Sequence, residues 1–284
     1  MTLEFGVAAA VLLAGALHAG WNTLVKTGGD RTATFVLIML GAGLAWLPVG
    51  LLRGLPDPAS WPFLAASVFI HLFYSAFLLA AYRHGDLSQV YPIARGSAPA
   101  LVAIGAWLLA GEALTVAQSA GVAVVCLGIL SLAWRRRDRR TEGHGVVFAL
   151  LTGMTIGGYV LSDGLGVRRA GDPLTYIAWL FVLQGLALVP FGLWLRRGAL
   201  GAAWRSSWLS GLCGGVIASL SYGIAVWAMG LGPMAHVTAL RETSVLIAAL
   251  IGTRLLGEPF GARRVVAAAM VAGGAVTLQL AGAG

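Results

Sequence analysis

The chain has 284 residues, of which 58% are hydrophobic and only 11% charged, and its mean hydropathy is +0.85. A soluble domain carries about 25% charged residues, so a soluble globular protein is excluded; apolar runs of membrane-spanning length recur from end to end, as in a polytopic membrane protein. The net charge of +8 sits in short loops between those runs, an orientation signal rather than a nucleic-acid stripe.

The opening MTLEFGV puts Glu4 where a leader has its basic region, so no cleaved signal peptide is expected. Span 1 is predicted over residues 4–25, where His18 and Asn22 lie four apart on one helical face with Trp21 beside them. For His18 a hydrogen bond to a neighbouring helix competes with a place in a cavity; for Trp21 packing is the expectation. Span 2 covers 33–52. Span 3 covers 61–82 and carries His71 and Tyr74 three apart.

Span 4, residues 87–109, contains YPIARGSAP at 91–99, where Tyr91, Pro92, Arg95 and Pro99 interrupt an otherwise apolar run. Each proline removes a backbone donor and strands a carbonyl. Such damage is tolerated where backbone lines a cavity or packs on protein, so the expectations are a helix break beside a cavity or a packing kink. An arginine buried mid-membrane costs about 2.5–3.5 kcal/mol on insertion scales. Arg95 can snorkel to the interface, pair with a buried acid, or hold an anionic substrate group with its planar donor fork.

Span 5 covers 115–134, and the basic linker RRRDRRTEG at 135–143 follows. Span 6 covers 144–165, with Tyr159 and, near its end, Asp163, which is expected to pair with Arg168 or to serve as a coupling proton site. Span 7 is placed at 174–195 and span 8, with Tyr222, at 207–230. Tyr74, Tyr91, Tyr159 and Tyr222 are candidate cavity aromatics, with interfacial anchoring as the alternative for the last two. Span 9, at 234–255, carries Thr238, Arg241 and Glu242; span 10 covers 261–281. Adjacent helical residues point roughly 100° apart, so Arg241 and Glu242 need not pair with each other. Glu242 is expected to neutralise Arg95 or Arg241, or to titrate as the coupling site.

The loops after odd-numbered spans hold fourteen basic residues and those after even-numbered spans three, Arg53, Arg168 and Arg169. Odd loops are therefore expected in the cytoplasm and both termini outside. Cys126 and Cys213 sit inside apolar runs, so neither a disulfide nor a metal site is expected. Clusters such as GLCGG and GGAVT allow close helix approach.

Residues 94–112 set against 240–258 place Arg95 on Arg241 and Gly111–Glu112 on Gly257–Glu258 without a gap. Five spans on each side of the linker predict an all-α membrane protein of ten helices built as two repeats, 1–134 and 144–284. An odd number of crossings inverts the second repeat relative to the first, an arrangement found in secondary transporters with sites near mid-membrane. Glu112 and Glu258, ending spans 4 and 9, are expected to accept hydrogen bonds from first-turn amides of the following helix.

With HAGWNTLVK, VYPIARGSAP and LLGEPF, this pattern resembles the drug/metabolite transporter superfamily and, within it, the EamA-like branch. The resemblance implies a cavity lined by helices 1, 3, 4, 6, 8 and 9, working by alternating access on amino acids, other small metabolites, nucleotide sugars or drugs. Small four-helix multidrug exporters of that superfamily keep a buried Glu in their first helix, where this chain has His18 and Asn22, so that proton-exchange device does not carry over.

A catalytic role is not expected: no G-x-S-x-G occurs and the histidines at 18, 71, 84, 144 and 236 lack metal spacing. A channel or sensor is the other rival class. No ATP-binding motif is present, so a gradient must supply the energy. The expected partners are a small solute, the bilayer of the cytoplasmic (inner) membrane and a coupling proton or ion, with a homodimer allowed and no cofactor. The paired arginines favour a small anion or zwitterion, probed against a neutral or cationic amphiphile if Glu242 already neutralises them.

Overall fold

The computed structural model describes residues 3–27, 31–85, 87–133, 143–195, 199–247 and 261–281, and every regular element among them is helical. Lipid offers no partner for backbone N–H and C=O groups, so a spanning chain must satisfy them within each segment. The elements are α1 (Phe5–Thr27), α2 (Arg31–Arg53), a 3-10 turn (Pro58–Ser60), α3 (Trp61–His84), α4 (Leu87–Ala110), α5 (Val116–Ala133), α6 (Gly143–Val167), α7 (Pro173–Leu195), α8 (Ala199–Leu231), α9 (Met234–Arg241) and α10 (Ala262–Leu280). Most of the basic linker, together with Gly257 and Glu258, lies outside the described residues.

Among the described residues, seven segments are long and apolar enough to cross a membrane: Phe5–Asn22, Thr34–Arg53, Pro58–His84, Gln89–Ala110, Val116–Ala133, Gly143–Val167 and Trp208–Leu231. Pro173–Leu188 is a shorter apolar helix. The surface of the bundle is that of a protein solvated by hydrocarbon. Leu52, Leu108, Leu109 and Trp107 are all exposed, whereas the charged Arg95, Asp163, Arg241 and Glu242 are buried. The chain is a multi-pass membrane protein.

Apart from α4 and α5, the main helix pairs join elements distant in sequence. α3 lies on α6, α1 on α8, α2 on both α7 and α8, α4 on α5 and α6, and α5 on α10. The small-residue clusters do what small residues do in membranes. A Cβ at Gly41 of α2 would come within 2.6 Å of the Gly211 carbonyl in α8, and one at Gly274 of α10 within 2.7 Å of the Gly121 carbonyl in α5.

Two expectations about helix interruption are corrected. Helix α4 runs unbroken through Pro92 and Pro99. One missing donor at a time leaves the flanking hydrogen bonds to hold the helix, although Pro99 still denies the Arg95 carbonyl its usual partner. The interruption falls instead in span 9, where no proline stands. α9 stops at Arg241, residues 242–243 form a turn, and 244–247 are helical again. Here the ladder tightens to three-residue steps: Thr243 N–H to the Leu240 carbonyl (3.1 Å), Val245 to Glu242 (3.0 Å) and Leu246 to Thr243 (2.9 Å). Gly15 of α1 makes room for it, since a Cβ there would lie 3.3 Å from the Arg241 carbonyl and 3.4 Å from the Ser244 amide.

Candidate functional site

The polar residues that looked scattered in the sequence converge in the middle of the bundle. Arg95, Asp163, Arg241 and Glu242 are 5%, 0%, 7% and 1% exposed. Their formal charges sum to zero, which is how a low-dielectric interior tolerates them.

Arg95, from α4, meets Glu242, from the α9 turn, in a two-point contact. Nη2 lies 2.6 Å from Oε1 and Nε donates to Oε2 at 3.2 Å. The Nε bond is charge-assisted, while the Nη2 approach is a close ionic contact without hydrogen-bond alignment. Of the three readings for Arg95, snorkelling is ruled out by its burial, and its partner is an acid on the other half of the chain.

Arg241 has no carboxylate in salt-bridge range among the described residues. Its Nη2 donates to His18 Nδ1 at 3.2 Å, its guanidinium carbon sits 4.9 Å from the Tyr222 ring centroid, and its Nε has no hydrogen-bond partner. Trp21 Nε1 also donates to His18 Nδ1, at 3.2 Å. Arginine and tryptophan nitrogens only donate, so His18 Nδ1 must be the bare acceptor nitrogen of a neutral ring. His18 thus shares one lone pair between two donors, and Arg241 is left with donor capacity to spare. Asn22 bonds back onto its own helix instead, donating to the His18 carbonyl four residues earlier at 2.8 Å.

Asp163 does not pair with Arg168, contrary to expectation. Tyr222 donates to its Oδ2 at 2.6 Å and Tyr176 to its Oδ1 at 3.1 Å. Arg168, past the end of α6, turns outward to Glu112 (2.6 Å) and donates to the carbonyls of Met229 (2.9 Å) and Gly232 (2.7 Å). Glu112 accepts from a first-turn amide, as its sequence position suggested, but from the wrong helix: the donor is Met234 N–H of α9, at 2.9 Å, not α5. Chain order could not reveal that α9 begins beside the end of α4.

An aromatic wall completes the site. His71 stacks on Tyr159 at 4.0 Å, while Tyr74 and Tyr222 meet Tyr159 edge-on at 5.7 and 5.6 Å. His71 Nδ1 lies 2.9 Å from the Ser67 carbonyl, and Gln184 Nε2 approaches the same ring, 3.2 Å from Nδ1 and 3.4 Å from Nε2. Tyr91 is half-buried one turn before Arg95 on α4. Thr238 is buried with its hydroxyl spent on the Met234 carbonyl, 2.8 Å away. Tyr176 and Gln184 were missed in the sequence; both are polar groups inside the apolar seventh span, which was the available signal. Among the described residues no three His, Cys, Asp or Glu side chains gather as a metal would require.

A helical membrane bundle with buried, mutually compensating charges at its centre is the architecture of a carrier or channel. Residues 143–279 match the EamA-like transporter family, which together with the apolar helices supports a membrane transporter. No curated protein matches. A solved crystal structure shares the fold, with a TM-score of 0.71 at 18% identity over 97% of this chain and 96% of the other.

Proposed function

We propose that the chain is a secondary transporter that carries a small anionic or zwitterionic organic solute, such as an amino acid or organic acid, by alternating access. The observation that carries this reading is the contrast between the two arginines. Each arginine keeps one nitrogen without a hydrogen bond, but Arg95 is neutralised by Glu242, whereas the neighbouring Arg241 is buried against a neutral histidine and an aromatic face with no carboxylate partner among the described residues. A carboxylate arriving between them would complete Arg241 and compete with Glu242 for Arg95, loosening the contact between halves.

The helix packing supports the inverted five-helix repeat, with repeats at 1–134 and 144–284. Advancing each helix number by five turns the α3–α6 contact into α8–α1, α4–α6 into α9–α1 and α2–α8 into α7–α3; α2–α7, α4–α9 and α5–α10 map onto themselves. All of these contacts are present. Loop charge supports termini outside the cytoplasmic membrane, and export is the direction we assign. Glu242 and Asp163 are the residues we assign to coupling with a proton or ion.

A second reading, export of a neutral or cationic amphiphile, draws on the aromatic wall of His71, Tyr74, Tyr159 and Tyr222 and on the neutralisation of Arg95. The discriminating experiment is a thermal-shift screen of purified protein against metabolites, repeated on Arg95→Ala and Arg241→Ala. The anion reading expects carboxylate hits that both variants lose. Carboxylates that stabilise all three proteins equally, or hits confined to amphiphilic cations, would refute it. Accelerated exchange in vesicles loaded with a hit separates a carrier from a channel.

A further inference from the structure

We propose that Asp163 is the proton-binding site of the transporter, and that Tyr222 passes its protonation state to Arg241. This deepens the transport reading and rests on it for what the proton does, but the site itself is argued from geometry.

Asp163 is fully buried, and no basic side chain forms an ion pair with it among the described residues. Its carboxylate accepts only from neutral hydroxyls: Tyr176 on Oδ1, Tyr222 on Oδ2, and the Ser67 hydroxyl of α3. Glu242 is buried as well, yet it already grips Arg95 at two points, so adding a proton there would break a charge-assisted contact. Asp163 can take a proton without losing an ion pair. The groups facing this region are His71 and Tyr74 on α3, Arg95 and Tyr91 on α4, Tyr159 on α6 itself, Tyr176 on α7, Tyr222 on α8, and Arg241 with Glu242 on α9.

The consequence runs through one ring. The Tyr222 hydroxyl donates to Asp163 while its face carries the Arg241 guanidinium. When Asp163 binds a proton from water, Oδ2–H becomes the donor and the Tyr222 oxygen the acceptor, and the phenol hydrogen turns away from Asp163. The central charges then sum to one positive instead of zero. A carboxylate beside Arg241 restores neutrality and takes the released phenol hydrogen bond. Proton and anion therefore favour each other's binding, and by linkage the preference is reciprocal. Glu242→Gln leaves this device in place; Asp163→Asn removes it.

The test is infrared difference spectroscopy of the purified full chain across a pH titration, following the C=O stretch of a protonated carboxyl. The expected result is a band that grows with acidity, disappears in Asp163→Asn and persists in Glu242→Gln. Should the asparagine variant not fold, aspartate carrying a ¹³C side-chain carboxyl in the unaltered protein serves instead, because Asp163 is the buried aspartate among those described. The buried carboxyl band must then move with the label. Ultraviolet resonance Raman of the tyrosines adds the second half: a change from donor to acceptor with acidity, absent in Tyr222→Phe. A band that survives Asp163→Asn, ignores the label, or never appears over the pH range of the folded protein overturns the proposal. The band does not depend on solute movement, so failed counterflow with an intact band would reject the transport reading instead.

Discussion

Arg95 and Glu242 lie 147 residues apart in the chain and bind through two nitrogen–oxygen contacts, at 2.6 and 3.2 Å, deep inside the bundle. One belongs to an unbroken helix and the other to the turn that interrupts its counterpart. The pair joins the N-terminal to the C-terminal half at the point where both are least able to recruit water.

Breaking that pair from one side strands a buried charge. Glu242→Met or Arg95→Met should each destabilise the protein by about 3–5 kcal/mol, whereas the double replacement with methionine should lose far less, because well-packed apolar residues often substitute for a buried pair at little cost. Thermal denaturation of both singles and the double in one detergent gives the coupling energy. Additive losses would mean that the contact contributes nothing.

Arg241 makes a different prediction. Lysine keeps the charge but cannot span His18 and a ligand carboxylate with one rigid fork. Arg241→Lys should weaken binding of a carboxylate hit about tenfold, equivalent to about 1.4 kcal/mol, while leaving the melting temperature of the empty protein little changed. Calorimetric titration measures the first and thermal denaturation the second.

At the far end of α6, Arg168 fastens four helix ends. It pairs with Glu112 and donates to two carbonyls near the end of α8, while Glu112 holds the first amide of α9. Glu112→Gln keeps an acceptor for Met234 and should cost under about 1 kcal/mol, as partly exposed pairs do. Arg168→Ala loses three contacts and should both lower the melting temperature further and speed labelling of a cysteine introduced at Met234. Equal effects of the two variants would refute this ordering.

Acid should act first outside the membrane. Asp172 precedes α7 and meets Arg53 at 2.7 Å. Partial burial pushes its carboxyl up, but the Thr175 hydroxyl, the Arg53 guanidinium and the Leu174 amide outweigh this and hold it below the ordinary carboxylate range. A depressed folded-state pKa adds stability above the unfolded value of about 3.9, and that stability is lost as pH falls through the folded value. Asp172→Asn should therefore flatten the acid side of the stability curve. At neutral pH its cost should stay under about 1 kcal/mol, since the side chains are 47% and 39% exposed. Melting temperatures of both proteins between neutral and acid pH check it.

Much of this was legible from residue order. Lipid forces the helical class, and the apolar runs located the helices, because hydropathy reports directly on burial in hydrocarbon. The rarity of charge inside those runs marked Arg95, Arg241, Glu242 and Asp163. What order could not reveal is who meets whom. Asp163 and Arg168 are near neighbours in sequence, yet α6 ends between them: one side chain faces Tyr176 and Tyr222, the other a glutamate from the end of α4. The prolines misled for a related reason. A missing donor is a local cost that flanking turns absorb, whereas the interruption of span 9 depends on a third party, Gly15, lying close enough to accept a tightened backbone.

That interruption gives the ninth span an elbow. Arg241 sits on the upper arm and Glu242 at the joint itself, so a solute that draws one away from α4 applies torque about a point already wound too tightly for a regular helix. A rigid rod would have to translate whole to release its cargo; a jointed one needs only to bend.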